Sequence, residues 1–498
     1  MKNKVVTVSA KAWVAGYYLG VCEATVTLAV NAVPTVQLEC APSELESYKP
    51  LVPHVYAPTI SDFSDLYRDL AQKAEGMSEE CEIYIETNGD DHDVLHLKRW
   101  ILAGVGLSSI TAVSAPHLVI VAQHPICKLT KVGAICETTK SNQSILINAA
   151  ARSGTDVIKI MQAVYTCARD VIEYLPSPSQ YAKMFRQNLG VGDFDPGKYL
   201  EYSGSNGIFL SNAASGLKER IAQAIGRMVF PSTEGSTWDT LVRLCGMLML
   251  NITQNQKNNY TGDKLVIEPM QPWKKYSITL DEDWSFSTDV PGMNPFKIIG
   301  VMSRKLGPQI VECSLGLRRD LNAQDKAKLA NPVSEVLYVP KMSDVSLSDG
   351  RIMMTSAPAV LEQACRINAP KGKFSSGFID ALKTYADGFD TALTKYCQAV
   401  YECTACSMVQ GSARMALGFR DFSGQLILPG NTCRFRTKDA KGKRKPLYYG
   451  YIRQVVHHLS AKGGCETIVA MSYMRPDEGL TIKGKVVIPA GSPNAAYE

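Results

Sequence analysis

Cys403-Thr404-Ala405-Cys406 has the spacing by which two thiolates grip zinc or form a redox pair. Zinc needs a second ligand pair, and a redox dithiol needs a strand-to-helix turn. This pair continues a helical pattern, so neither role is expected. Asp90, Asp91, His92, Asp93 and His96 could gather around a cation. They follow Asn88-Gly89, a hairpin signal, so a solvated hairpin end is expected instead. His457 and His458 are neighbours in a strand pattern, point to opposite faces and cannot chelate one ion together. The carboxylates of the 90–93 and 281–283 stretches are the candidates for glycosidase acid and base, but they sit in turn-like segments without a recognisable acid/base arrangement. A Gly-rich phosphate loop with its Lys-Ser/Thr, a G-x-S-x-G elbow and an H-E-x-x-H helix are all missing from the sequence. Gly104-Val105-Gly106 lacks the third glycine and the helix of a dinucleotide site. No catalytic residue, metal ligand or cofactor is expected, and the chain reads as a non-enzyme. Its dense charge cluster, Lys438-Asp439-Ala440-Lys441-Gly442-Lys443-Arg444-Lys445, is either a solvated hairpin tip or a contact for an acidic partner, protein ring or DNA.

The elements that must position these residues belong to an ordinary globular chain. Its 498 residues suffice for two to four domains, and 45% hydrophobic with 20% charged residues excludes disorder. A net charge of +5 over this length does not by itself argue for nucleic acid. The 14 cysteines are scattered and mostly in apolar surroundings, as at Cys22, Cys40, Cys127, Cys167, Cys245 and Cys397. Buried thiols made in a reducing cytoplasm are expected, with no disulfide framework. A signal peptide is not expected, and nowhere do the roughly 18 consecutive apolar residues of a membrane-spanning helix occur.

In chain order, strand patterns fill Val5 to Cys40 around a turn at Asn31-Ala32-Val33-Pro34. A helix follows from about Phe63 to Glu75, capped by Ser61 or Asp62, then strands at Glu82 to Thr87, Leu95 to Leu102, Ala112 to Ser114 and Leu118 to His124. Residues 1–140 thus predict a small β-barrel. Residues 141–262 turn helical, with helices near 155–172, 217–229 and 236–250 and a glycine-rich connection at 190–207. Residues 263–375 return to strands. In 376–410, Ile379, Leu382, Ala386, Phe389, Leu393, Tyr396 and Val400 alternate in steps of three and four, a heptad seam that can pair within the chain or with a copy of itself. Residues 411–498 close the fold. Leu426 to Leu428 is a short strand candidate, Pro429-Gly430 a turn and Thr432 to Arg436 a strand. Leu447 to His458 is a long strand that places Tyr449, Tyr451, Arg453, Val455 and His457 on one face, and Cys465 to Tyr473 returns beside it. The predicted class is α+β: two small antiparallel β-barrel domains, a helical insertion between them and a long helix before the closing hairpin.

Three strings carry a family resemblance: Leu428-Pro429-Gly430-Asn431-Thr432, then Tyr449-Gly450-Tyr451-Ile452-Arg453-Gln454-Val455-Val456-His457, then Ser472-Tyr473-Met474-Arg475-Pro476. They resemble the closing barrel of contractile-tail baseplate hub proteins of bacteriophages, the late control protein D type and the spike-hub half of type VI secretion tips. Val30-Asn31-Ala32-Val33-Pro34-Thr35-Val36-Gln37-Leu38 resembles the strand pair that opens such hubs, and Ser236-Thr237-Trp238-Asp239-Thr240-Leu241 a helix start in their middle. The resemblance implies a homotrimer whose two barrels per chain form a pseudo-sixfold ring around a channel. Its partners would be the tail tube protein, the spike protein and the tape measure protein, with transient DNA passage, in the virion baseplate after synthesis in the host cytoplasm. Interface candidates are Lys438, Lys441, Lys443, Arg444, Lys445, Tyr449, Tyr451, Arg453 and the seam residues Ile379, Leu382, Phe389 and Leu393. The alternatives are a tail-associated polysaccharide or cell-wall hydrolase, or another tail tube or adaptor protein.

Overall fold

The computed structural model describes residues 7–40, 63–88, 93–108, 117–131, 196–202, 236–247, 250–254, 264–270, 277–281, 285–288, 410–421, 423–438, 440–461 and 464–476, with short strands between 309 and 354 and after 480. Alternation of apolar and polar residues builds the first unit. Strands β1 (Thr7–Val14), β2 (Tyr17–Ala29), β3 (Thr35–Cys40), β4 (Glu80–Asn88), β5 (Asp93–Leu107) and β6 (Leu118–Gln123) pair in the order β1-β4-β5-β6-β3-β2. A further β1–β2 pairing closes them into a six-stranded, wholly antiparallel barrel. Every second residue of β6, Leu118, Ile120 and Ala122, is buried inside with Val26, Leu28, Val36, Leu38, Ile83 and Ile85. Helix α1 (Phe63–Gly76) adds Leu66, Leu70 and Ala74, four residues apart and so on one helical face. It is pinned where the Tyr17 hydroxyl donates to Asp69 Oδ2 at 2.8 Å and Lys73 Nζ lies 2.9 Å from the same oxygen. The expected caps Ser61 and Asp62 lie outside the described residues.

The second unit is organised by one long strand. β19 (Arg444–Ser460) pairs along one side with β20 (Gly464–Pro476). On its other side it pairs with β18 (Thr432–Lys438) through its first half and with β2 of the barrel, Glu23 to Ala29, through its second. β10 (Ile278–Leu280) extends β18 in parallel, and β17 (Gly411–Ala416) and β11 (Ser285–Thr288) extend β20, giving the order β10-β18-β19-β20-β17-β11. Its own core holds Ile278, Leu280, Ala413, Ile427, Cys433, Phe435, Ile452, Val455, Val469, Met471 and Met474. A third, smaller sheet lies between the units in sequence: β7 (Leu200–Tyr202) and β8 (Leu250–Gln254) flank β9 (Leu265–Pro269). Helix α2 (Thr237–Met247) runs into β8, capped by Ser236, whose Oγ accepts from Asp239 N at 3.1 Å while its N–H donates to Asp239 Oδ2 at 3.0 Å. This reciprocal cap and the buried Trp238 account for the Ser-Thr-Trp-Asp string. β12 (Gln309–Glu312), β13 (Leu317–Asp320) and β14 (Val336–Tyr338) form a separate sheet. β15 (Asp344–Ser346) pairs with β16 (Ile352–Met354), and β21 (Leu480–Ile482) with β22 (Lys485–Ile488).

The fold is α+β and predominantly antiparallel β, as expected. Of the strands expected from 263–375, β10 and β11 join the closing sheet, whereas β9 joins β7 and β8. The helices expected at 155–172 and 217–229, the seam of Ile379, Leu382, Phe389 and Leu393, and Cys403 and Cys406 lie outside the described residues.

Two local expectations are corrected. Leu426 to Leu428 is no strand; it holds a lone bridge between Leu426 and Arg420. The reason is the buried Asp421, whose carboxylate accepts from Thr279 N, Ser423 N and Oγ, and Gln425 N at 2.7 to 2.9 Å, drawing the backbone donors into a turn instead of a ladder. In β19, register shifts between Tyr449 and Tyr451 and between Ile452 and Gln454 break the strict two-residue period. Ile452 and Val455, three apart, therefore enter the same core, and Tyr449 through His457 do not share one face.

Candidate functional site at the junction of the two sheets

Three segments meet where the barrel joins the closing sheet: the β2–β3 turn, β8 and the β18–β19 pair. Asn31 takes the left-handed conformation (φ 59°) that asparagine tolerates better than most side chains. Its N–H donates to Ile252 O at 2.9 Å, and its Oδ1 accepts from Ile252 N at 2.8 Å. Its Nδ2 donates to Asn251 Oδ1 at 3.0 Å, and Asn251 Nδ2 donates onward to the Tyr451 hydroxyl at 2.7 Å. One polar chain thus ties barrel, middle sheet and closing sheet together. It runs through β8, all five of whose residues are buried, although Asn251, Thr253 and Gln254 are polar. Such groups are tolerated inside only when hydrogen-bonded: Asn251 is the fastening, and Thr253 Oγ1 donates to Glu268 Oε1 at 2.9 Å.

The Pro429-Gly430-Asn431 turn seals the same junction. Gly430 N donates to Ile452 O at 2.9 Å, and Ile452 N to Asn431 O at 2.8 Å. Asn431 Nδ2 donates to Leu428 O at 3.0 Å, while its Oδ1 accepts from Ser277 Oγ at 2.9 Å. Position 430 needs glycine twice over: φ is +90°, and a Cβ would lie 2.4 Å from Thr253 Cγ2.

Side chains brace the junction from both sides. Arg420 Nε contacts Asp93 Oδ1 at 3.1 Å, and Phe419 N donates to Asp93 Oδ2 at 3.2 Å, linking the loop after β17 to the barrel. Arg436 grips Asp281 with two bonds, 2.7 and 3.0 Å. His457 is buried and its Nδ1 lies 2.9 Å from Thr467 Oγ1, which donates to Gly418 O at 2.9 Å. With the hydroxyl hydrogen committed there, His457 Nδ1 is the donor. Burial away from water pushes the His457 pKa down to about 3, so the ring is neutral. Next to it, His458 faces the barrel, 3.1 Å from Thr25 Oγ1 and 3.9 Å from Glu23 Oε1. The apolar contents cross the junction too, because Leu417, Phe419, Leu428 and Leu459 complete the core of the barrel.

The candidate residues divide accordingly. Asp93 and Asp281 are braces, and His96 Nε2 lies 2.6 Å from Glu82 across β4–β5; Asp90, Asp91, His92 and Asp283 lie outside the described residues. Among the described residues no three His, Cys, Asp or Glu side chains converge to hold a metal ion. Tyr449 and Tyr451, expected at an intersubunit surface, are buried within the chain at 3% and 4% exposure. Arg453 is exposed at the bulge, and its carbonyl accepts from Val30 N at 2.9 Å. Lys438, Lys441 and Lys443 are exposed at the hairpin tip, and Arg444 and Lys445 pair in register with Lys438 and Thr437. Cys40, Cys81, Cys127, Cys245 and Cys433 are buried thiols, and desolvation raises the pKa of Cys127 and Cys433 to about 12. Sequence reasoning did not find Asn251 or Gln254; the available signal was a short strand with no outward polar alternation.

No protein-family model matches the chain, and no curated protein matches it. Among solved structures, a tail protein from Neisseria meningitidis aligns with 93% of this chain and 96% of its own at 11% identity and a TM-score of 0.40. A 43 kDa tail protein of a Shewanella oneidensis prophage covers 94% and 100% at 12% identity, TM-score 0.40. An E. coli type VI secretion component, described as structurally similar to T4 bacteriophage tail proteins, covers 98% and 78% at 8% identity, TM-score 0.34.

Proposed function

We propose that the chain is a structural, non-enzymatic protein of a contractile tail, the baseplate hub that joins the tail tube to the central spike as a trimeric, pseudo-sixfold ring around a channel. The observation that supports this most is the junction. The strings that resemble hub proteins, at Asn31, at Gly430-Asn431 and at Tyr449 to His457, are far apart in sequence and meet in one hydrogen-bonded seam. A seam of this kind holds two β units of one chain in a fixed relation, and a ring needs that: rotation by a constant angle closes a ring only if each building block is rigid. The hydrolase alternative gains no support, because Asp93 and Asp281 are occupied by Arg420 and Arg436. In this reading the tail tube, spike and tape measure proteins are the partners and the virion baseplate is the location.

Native mass spectrometry of the purified chain, alone and with tube and spike proteins of the same tail, tests the proposal. Threefold species that bind a sixfold tube ring are expected. A chain that stays monomeric with both partners present overturns it. Clearing of a peptidoglycan gel that vanishes with Asp281→Asn would instead favour the enzyme.

A further inference from the structure

The hairpin between β18 and β19 outruns the sheet that carries it. β10 borders β18 at Cys433 to Phe435, and β20 borders β19 from Tyr448 onward. Beyond these, Arg436 to Lys438 and Arg444 to Pro446 pair with each other, and among the described residues no other strand flanks them. The result is a two-stranded arm. At its tip Gly442 has φ +75°, and among the described residues a Cβ there would meet nothing within 4 Å.

Its charge is unusual for a free-standing hairpin. Positions 438–445 hold five cations against one carboxylate, Asp439. The backbone register sets Lys438 directly opposite Arg444. Lys438, Lys441 and Lys443 are exposed. Between Arg436 and Leu447 the sequence offers no aromatic and no large aliphatic residue.

That last feature selects the partner. Protein interfaces are anchored by apolar and aromatic side chains and depleted in lysine at their centres, and single-stranded nucleic acid is held by stacking on aromatic rings. The arm supplies neither. A duplex phosphate backbone asks for no anchor and carries one negative charge per roughly 1.7 Å of axis, which calls for cations spread along an exposed rod. We infer that the 436–447 arm is a sequence-independent binding site for the phosphate backbone of duplex nucleic acid.

The test uses the full chain and a labelled 20-base-pair duplex of mixed sequence, followed by fluorescence anisotropy across salt concentrations. Binding is expected at low salt, with log K falling against log salt at a slope of about −4, as for four to five neutralised phosphates. Substituting Lys441, Lys443, Arg444 and Lys445 together by Ser is expected to weaken binding at least tenfold at low salt and to flatten the slope to about −1, with an unchanged melting curve. Should that variant fail to fold, Lys441→Glu with Lys443→Glu changes two exposed tip residues and must show the same loss. Equal duplex binding by wild type and variants overturns the assignment, as does absence of binding at low salt. Competition by polyglutamate as strong as by unlabelled duplex would replace it with an acidic protein surface, and tighter binding of a single strand would remove the duplex.

Discussion

The two ends of β19 are continuous in backbone and opposite in surroundings. From Gln454 to Ser460 the strand is bordered on both sides, by β2 and by β20, and buries Val455, His457 and Leu459. From Arg444 to Pro446 β18 is its one neighbouring strand among the described residues, and it runs into the basic tip. The buried end is specified by shape and hydrogen bonding, so almost any change there should be felt. The arm end is specified by charge, so its changes should leave stability nearly untouched and alter binding. One strand thus fastens the chain internally and reaches outward.

That contrast can be broken most easily at its braces. Arg436→Ala removes its two-point grip on an Asp281 that is 5% exposed, and removing one partner of a buried ion pair costs about 3–5 kcal/mol. Urea denaturation should show this as a large drop in midpoint; a drop comparable to that of a surface substitution would mean the pair is not a brace. Next come two of the glycines of left-handed conformation. Gly430→Ala meets Thr253 at 2.4 Å and should cost roughly 3 kcal/mol, whereas Gly442→Ala carries only the backbone strain of about 1–2 kcal/mol. Similar melting temperatures for the two variants would erase the distinction between junction and arm.

Smaller effects sharpen the comparison. Tyr451→Phe takes away the acceptor of Asn251 Nδ2 and should cost about 1–3 kcal/mol without altering secondary structure, as circular dichroism with thermal melting would show. His457 gives the junction a pH dependence of definite sign. Its folded pKa, about 3, lies below the ordinary value of 6.5, so the folded state binds the proton less readily than the unfolded chain. The stability it contributes is present above pH 6.5 and is lost as pH falls toward 3, at about 1.4 kcal/mol per unit. Denaturation midpoints at pH 7 and pH 5 should differ accordingly, and His457→Asn should reduce the difference. An equal pH dependence in that variant would assign the effect to other groups.

The barrel was legible in the sequence because its strands alternate cleanly and its turns carry their usual residues, as at Asn31 and Pro34. The helix over Phe63–Gly76 was legible for the same reason. What escaped were features decided by partners distant in the chain. Asn251 and Gln254 look like ordinary surface residues until the turn at Asn31 and the hydroxyl of Tyr451 are brought to Asn251. The β19 irregularities pass through Arg453 and oppose Tyr473, whose φ of 52° nothing in its side chain announces. Leu426 to Leu428 reads as a strand by hydrophobicity, and the turn that Asp421 makes with Ser423 and Gln425 is completed by the distant Thr279 N–H. Of the interface candidates, the exposure of Lys438, Lys441 and Lys443 was legible by charge alone, while the burial of Tyr449 and Tyr451 was not, because an aromatic strand face suits a buried seam and a subunit contact equally well.

The sharing of the barrel core with Leu417, Phe419, Leu428 and Leu459 sets a timetable for synthesis. Thr25 and His458, which touch across the β2–β19 seam, are 433 positions apart. At about 5–20 residues per second, a ribosome takes on the order of 20–90 s to make the second after the first. Once Gln123 has been made, the barrel has its strands but not its last four core side chains, and the edge of β2 awaits a partner. Completion of the first unit therefore waits on residues made long after its own strands.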